Sequence, residues 1–156
     1  MSERILMPLD GSKTGEAALP YVNGLISRLA PGEAVEITLL HVITNITRNI
    51  RYQGGGMISV PCNEDELAQM TDEANKYLLS VGEQLSNKQI TLMYKIAVNQ
   101  NPAEAIIEAE KESNANLVTM ATHGRSGISR FTLGSIAEKV MRGGNLPVLM
   151  VRASTD

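Results

Sequence analysis

Residues 120–139, MATHGRSGISRFTLGSIAEK, decide the fold because they join two periodicities. The run ahead of them, ANLVTMA (115–121), has the length and apolar content of a strand. Behind them, the spacing predicts a helix from about Ile136 to Arg142, followed by Gly143-Gly144 and a last apolar run, LPVLMVR (146–152). Between strand and helix lie Gly124, Gly127 and Gly134, which with Ala121 leave the backbone almost bare around Arg125 and Arg130.

The same alternation extends back to the N-terminus. RILMPL (4–9), ended by Asp10-Gly11-Ser12, and AVEITLLHVI (34–43) read as strands. Between them Ala17, Ala18, Tyr21, Val22, Leu25, Ile26 and Leu29 recur at helical spacing up to Pro31-Gly32, with Pro20 expected to kink the helix or delay its start. Residues 44–62 hold no sustained period and include Gly54-Gly55-Gly56, so we expect a long loop, either a lid or a crossover. Asn63 and Glu66 form a capping box for a helix whose stripe is Leu67, Met70, Ala74, Tyr77, Leu78, Val81 and Leu85. QITLMYKIAV (89–98) alternates with one apolar face, as at a sheet margin, and Asn101-Pro102-Ala103-Glu104 starts a third helix that Asn114 closes. Five strands with helices between them predict an α/β fold with a parallel sheet covered on both faces, within a single domain spanning 1–156.

Composition narrows the function. Hydrophobic residues are 43% and charged residues 20% of the chain, which excludes a disordered polypeptide, and no apolar run is long enough to span a membrane. A net charge of -3 argues against a general nucleic-acid binder, and the single cysteine, Cys62, excludes an internal disulfide or a multi-cysteine metal site. MSERILMPLD lacks a signal-peptide core, so a cytoplasmic location is expected.

Open parallel sheets bind ligands beyond the carboxyl ends of their strands, where strand order reverses. If the first and fourth strands are neighbours, Asp10-Gly11-Ser12 and the 124–134 loop face each other across one crevice. Glycines there let backbone amides approach an anion, and Gly134-Ser135 sits at a helix N-terminus. Two readings stay open: phosphate binding with help from Arg125 and Arg130, or Ser135 serving only to cap its helix through Glu138. Neither a P-loop nor a dinucleotide fingerprint is present.

Ala121-Thr122-His123-Gly124, nine residues, then Gly134-Ser135 resembles the G-x2-G-x9-G-[ST] signature of the ATP-binding branch of the universal stress proteins, with Ala121 in place of the first glycine. ILMPLDGS, LLHVI and LPVLMVR resemble that family's first, second and closing strands, so the resemblance covers nearly the whole chain. It implies a Rossmann-like open five-stranded sheet of order 3-2-1-4-5 and an ATP site, with Mg²⁺. Asp10 would take the ribose or adenine side beside Pro8 and Leu9, Val42 would meet adenine, and Met120, Ala121, His123, Gly124, Gly134, Ser135 and Ile136 would surround ribose and phosphates. Arg125 is our electrostatic addition. With no evident general base or metal-binding carboxylate near the phosphates, we expect a nucleotide-dependent stress-response factor with slow hydrolysis at most. The edge strand 146–152, whose Val148, Leu149, Met150 and Val151 are apolar on both faces, predicts a homodimer paired through it, in agreement with the resembling family.

Other residues carry less. His41, inside an apolar strand, reads as a hydrogen-bonded core residue, Cys62 as a packed or mildly exposed thiol, and Glu104, Glu108, Glu110 and Glu112 as a solvated helix face. Asp10 capping its own turn is the plain alternative to a ligand role. Competing functions are the same fold without nucleotide, a flavodoxin-like FMN carrier suggested by GSKTGEAA, and a receiver domain. Aromatic residues at 3% leave little to stack on a flavin, and Asp10 lacks the acidic neighbour of a receiver.

Overall fold

A computed structural model describes residues 2–29, 32–85, 89–122 and 134–153. Its main sheet holds five parallel strands: β1 (Glu3–Leu9), β2 (Val35–Ile43), β5 (Ile90–Val98), β6 (Leu117–Thr122) and β7 (Val148–Arg152). Their order is β5-β2-β1-β6-β7. With the two hairpin strands β3 (Thr47–Arg51) and β4 (Met57–Pro61) left out of the count, that is the 3-2-1-4-5 order, and the chain reverses direction across the sheet between β1 and β6.

Helices cover both faces. Met7, Leu9, Ile37 and Leu39 pack beneath α1 (Ala18–Ile26) and α2 (Glu64–Gln84), where Val22, Ile26, Leu78 and Val81 are buried. On the other face Leu6, Leu40, Val118 and Met120 pack beneath α3 (Pro102–Glu112) and α4 (Ser135–Gly143), through Ile106, Ala109, Ala137 and Val140. The alternation of a buried strand's residues between two cores is what a sheet covered on both sides requires.

Local chemistry sets the element ends. A short 3-10 turn (Gly15–Ala17) delays α1, leaving Pro20 in its first turn, where a missing N–H costs nothing. The helix also stops sooner than expected. Arg28 and Leu29 donate to Leu25 and Ile26 in tight three-residue bonds, and the Ser27 hydroxyl donates to the Gly24 carbonyl, so Leu29 reaches the core from a turn. α2 starts on the expected capping box: Asn63 Oδ1 accepts from the Glu66 amide and Glu66 Oε2 from the Asn63 amide, each at 2.8 Å. At α3 only half of that arrangement forms, because the Asn101 amide donates to Asn99 Oδ1 at 2.8 Å instead of to Glu104. Asn114 closes α3 at φ 50°, a left-handed conformation that asparagine tolerates.

Two further expectations fail. Residues 44–62 are not a loop throughout: β3 (Thr47–Arg51) and β4 (Met57–Pro61) form an antiparallel hairpin, turned by Gly54 and Gly55 at φ 155° and 86°. Nearly every hairpin side chain is exposed, so no alternation of apolar and polar residues marks it in the sequence. Glu110 leaves the solvated face of α3 and is 5% exposed, while Glu104, Glu108 and Glu112 remain exposed. Glu110 Oε2 accepts from the Asn145 amide at 3.2 Å, pinning the turn after α4 to α3.

That turn carries a testable constraint. A Cβ on Gly144 would lie 2.5 Å from Glu110 Oε1 and 2.8 Å from the Val140 carbonyl oxygen, and the latter is backbone that cannot swing away. Gly144→Ala is expected to cost about 1–3 kcal/mol in urea unfolding, as overpacking does. Thr119 gives the opposite case. Its Oγ1 is buried without a partner among the described residues, so Thr119→Val should leave stability unchanged or raise it by up to about 1 kcal/mol. A fall of more than that in thermal unfolding would mean the hydroxyl has a bonded water.

Candidate functional site

A crevice of about 880 Å³ opens over the carboxyl ends of β1, β2 and β6. β1 pairs with β2 on one side and β6 on the other, so the turn after β1 and the N-terminus of α4 come to the same mouth. Pro8, Leu9, Asp10, Val42, Met120, Ala121, Gly134, Ser135 and Ile136 all line it. His123, Gly124, Arg125 and Arg130 lie outside the described residues.

The first rim is a closed turn. Gly11 takes φ 85°, and Asp10 Oδ1 accepts from the Ser12 amide at 2.9 Å and the Ser12 hydroxyl at 2.6 Å. Asp10 therefore does cap its own turn, while its exposed carboxylate edges the crevice.

At the opposite rim Ser135 does not cap its helix. Gly134, not Ser135, is the N-cap of α4, with no side-chain cap hydrogen bond, and its carbonyl receives the Glu138 amide at 3.0 Å. Glu138 pairs instead with Arg142 at 2.8 Å. The amides of Ser135, Ile136 and Ala137 have no intrahelical acceptor, and all three residues line the crevice. A helix N-terminus attracts an anion through amides that have no acceptor within the helix and through the helix dipole. Ala121 remains within β6, paired with Val151, so its methyl sits on an ordinary extended backbone.

One wall was missed. Met70, Glu73, Ala74 and Tyr77 of α2 line the crevice, although three of them read from the sequence only as a buried helical stripe. A stripe that runs past the end of the sheet it covers becomes a wall, and periodicity does not say where that end falls. The Tyr77 hydroxyl donates to Glu16 Oε1 at 3.3 Å, and Glu16 Oε2 pairs with Lys13 at 3.1 Å. Burial, then the Glu16 carboxylate, push the Tyr77 hydroxyl far above the ordinary tyrosine range, so it stays a neutral donor. His41 is half-buried, with Nδ1 2.9 Å from the Leu9 carbonyl oxygen and its ring edge-on to Tyr77 at 5.8 Å. Cys62 is half-buried too. Among the described residues no group of three His, Cys, Asp or Glu side chains is placed to hold a metal, and no helix is long and apolar enough to cross a membrane.

The family model described as "Universal stress protein family" matches residues 1–152. The chain belongs to the universal stress protein family. Universal stress protein MJ0577 of Methanocaldococcus jannaschii is 30% identical over 162 residues, covering 97% of this chain and 96% of that protein. Universal stress protein YxiE of Bacillus subtilis is 28% identical, covering 97% of this chain and all of its own length. The solved structure of MJ0577 superposes with a TM-score of 0.71 at 25% identity, covering 100% of this chain and 99% of that one. A universal stress protein from Archaeoglobus fulgidus, solved in complex with dAMP, superposes at 0.55 with 15% identity, covering 96% and 97% of the two chains, and so shares the fold.

Proposed function

We propose that this universal stress protein is a cytoplasmic, nucleotide-dependent stress-response factor that binds ATP, with Mg²⁺, in the crevice and hydrolyses it slowly or not at all. The observation that carries the reading is the N-terminus of α4, which makes no side-chain cap hydrogen bond among the described residues, at one mouth with the acidic turn of β1. Phosphates would take the amides of Ser135 and Ile136, with His123, Gly124 and Arg125 completing the anion side. The nucleoside would rest on Pro8 and Leu9, with Asp10 accepting from the ribose and Val42 against the base; Met120 and Ala121 floor the site between them. The fold-mate that holds dAMP supports a nucleotide in this architecture.

Slow turnover is expected because, among the described residues, the carboxylates that line the crevice, Asp10 and Glu73, belong to the β1 turn and to α2 and not to the N-terminus of α4. Calorimetric titration with ATP and Mg²⁺ is expected to show one site per chain. A flat titration would favour the same fold without nucleotide.

The exposed edge of the sheet supports a homodimer through residues 146–152. Val148, Leu149, Met150 and Val151 of β7 are half-buried at the end of the strand order, an edge that self-pairing would cover. Light scattering is expected to give twice the chain mass at micromolar concentration, and Leu149→Asp should shift it to monomer.

A further inference from the structure

We infer that His41 sets base selectivity by accepting a hydrogen bond from the exocyclic amine of the nucleotide; the inference rests on the crevice being a nucleotide site. The Leu9 carbonyl can only accept, so the 2.9 Å contact puts the proton on His41 Nδ1. In the neutral ring the other nitrogen, Nε2, then carries a lone pair. Register explains why the contact exists: Leu9 is the last residue of β1 and lies directly across from His41 in the ladder. The ring's edge contact with Tyr77 restrains its remaining freedom. Among the described residues the bond to Leu9 is the ring's only hydrogen bond, and His41 lines the crevice together with Leu9 and Val42, the two residues assigned to the nucleoside.

The carboxylates of Asp10 and Glu73 line the same crevice together with the side chains of Thr44 and Asn45, and the Tyr77 hydroxyl is committed to Glu16. A purine with an amine at position 6 offers His41 Nε2 a donor. One with a carbonyl there sets lone pair against lone pair, and a polar site rejects the analogue that leaves its groups unpaired.

ATP and ITP isolate the effect, since they share ribose and phosphates and differ at the six-membered edge. Calorimetry of the wild-type protein with Mg²⁺ is expected to show ATP bound at least about tenfold more tightly than ITP. In His41→Phe, and in His41→Leu should the phenylalanine variant misfold, the preference is expected to fall within about twofold while ITP affinity holds. Equal wild-type affinities, or a preference that survives both variants, would overturn the role of His41 and leave nucleotide binding standing. Failure of both nucleotides to bind the wild type would remove the nucleotide reading and this inference with it.

Discussion

Gly134→Val is expected to lower ATP affinity by at least about a hundredfold, near 2.8 kcal/mol, in a chain that still folds. The prediction separates binding from folding because of where Gly134 sits. Its φ of -52° and ψ of 145° are open to any residue, and a Cβ built there meets nothing within 4 Å. Valine is a poor N-cap, which costs α4 about 1 kcal/mol, a loss that a domain of ordinary stability tolerates. Gly134 lines the crevice beside Ser135 and Ile136, so the valine methyl groups are expected to compete there with an approaching phosphate. Calorimetry with ATP and Mg²⁺, beside urea unfolding of the same preparation, reads the two effects apart. Wild-type affinity in a folded variant would show that the α4 N-terminus does not hold the anion.

How much of this was legible beforehand depends on which physical signal each residue leaves. β1, β2 and β6 were readable within two residues because a strand buried on both faces is a continuous apolar run, and Leu6, Met7, Leu39 and Leu40 could be nothing else. Pro8, Leu9, Asp10, Val42, Met120, Ala121, Gly134, Ser135 and Ile136 were named from the resemblance to the universal stress proteins and do line one crevice. The hairpin was not readable, since its pairing depends on backbone bonds and glycine turns while its side chains face solvent. Glu110 misled for a related reason. Its helical position looks solvated until the Gly144 turn, 34 positions further along the chain, folds over it, and no local pattern encodes that approach. The α2 wall escaped because burial against a sheet and burial around a ligand leave the same apolar stripe.

Leu6→Ala is expected to destabilise the protein by about 3–5 kcal/mol, a large share of the roughly 5–15 kcal/mol that holds a domain together. Leu6 lies on β1 between Thr38 of β2 and Val118 of β6, is fully buried, and packs with Leu40, Ile106, Val118 and Val140. The cost should fall at the upper end for leucine truncation, because the cavity cannot collapse. β1 is hydrogen-bonded on both sides and α3 and α4 are held to each other by the Glu110–Asn145 bond, so no wall is free to move inward. An exposed control such as Met93→Ala, on the edge strand β5 and 50% exposed, should stay within about 0.5 kcal/mol. Leu6 does not line the crevice, so the folded fraction of Leu6→Ala should keep ATP affinity within about threefold, the inverse of the Gly134→Val outcome. Urea unfolding with an unchanged m-value checks the stability, and a cost under about 1 kcal/mol would mean that the α3–α4 face is not packed as described.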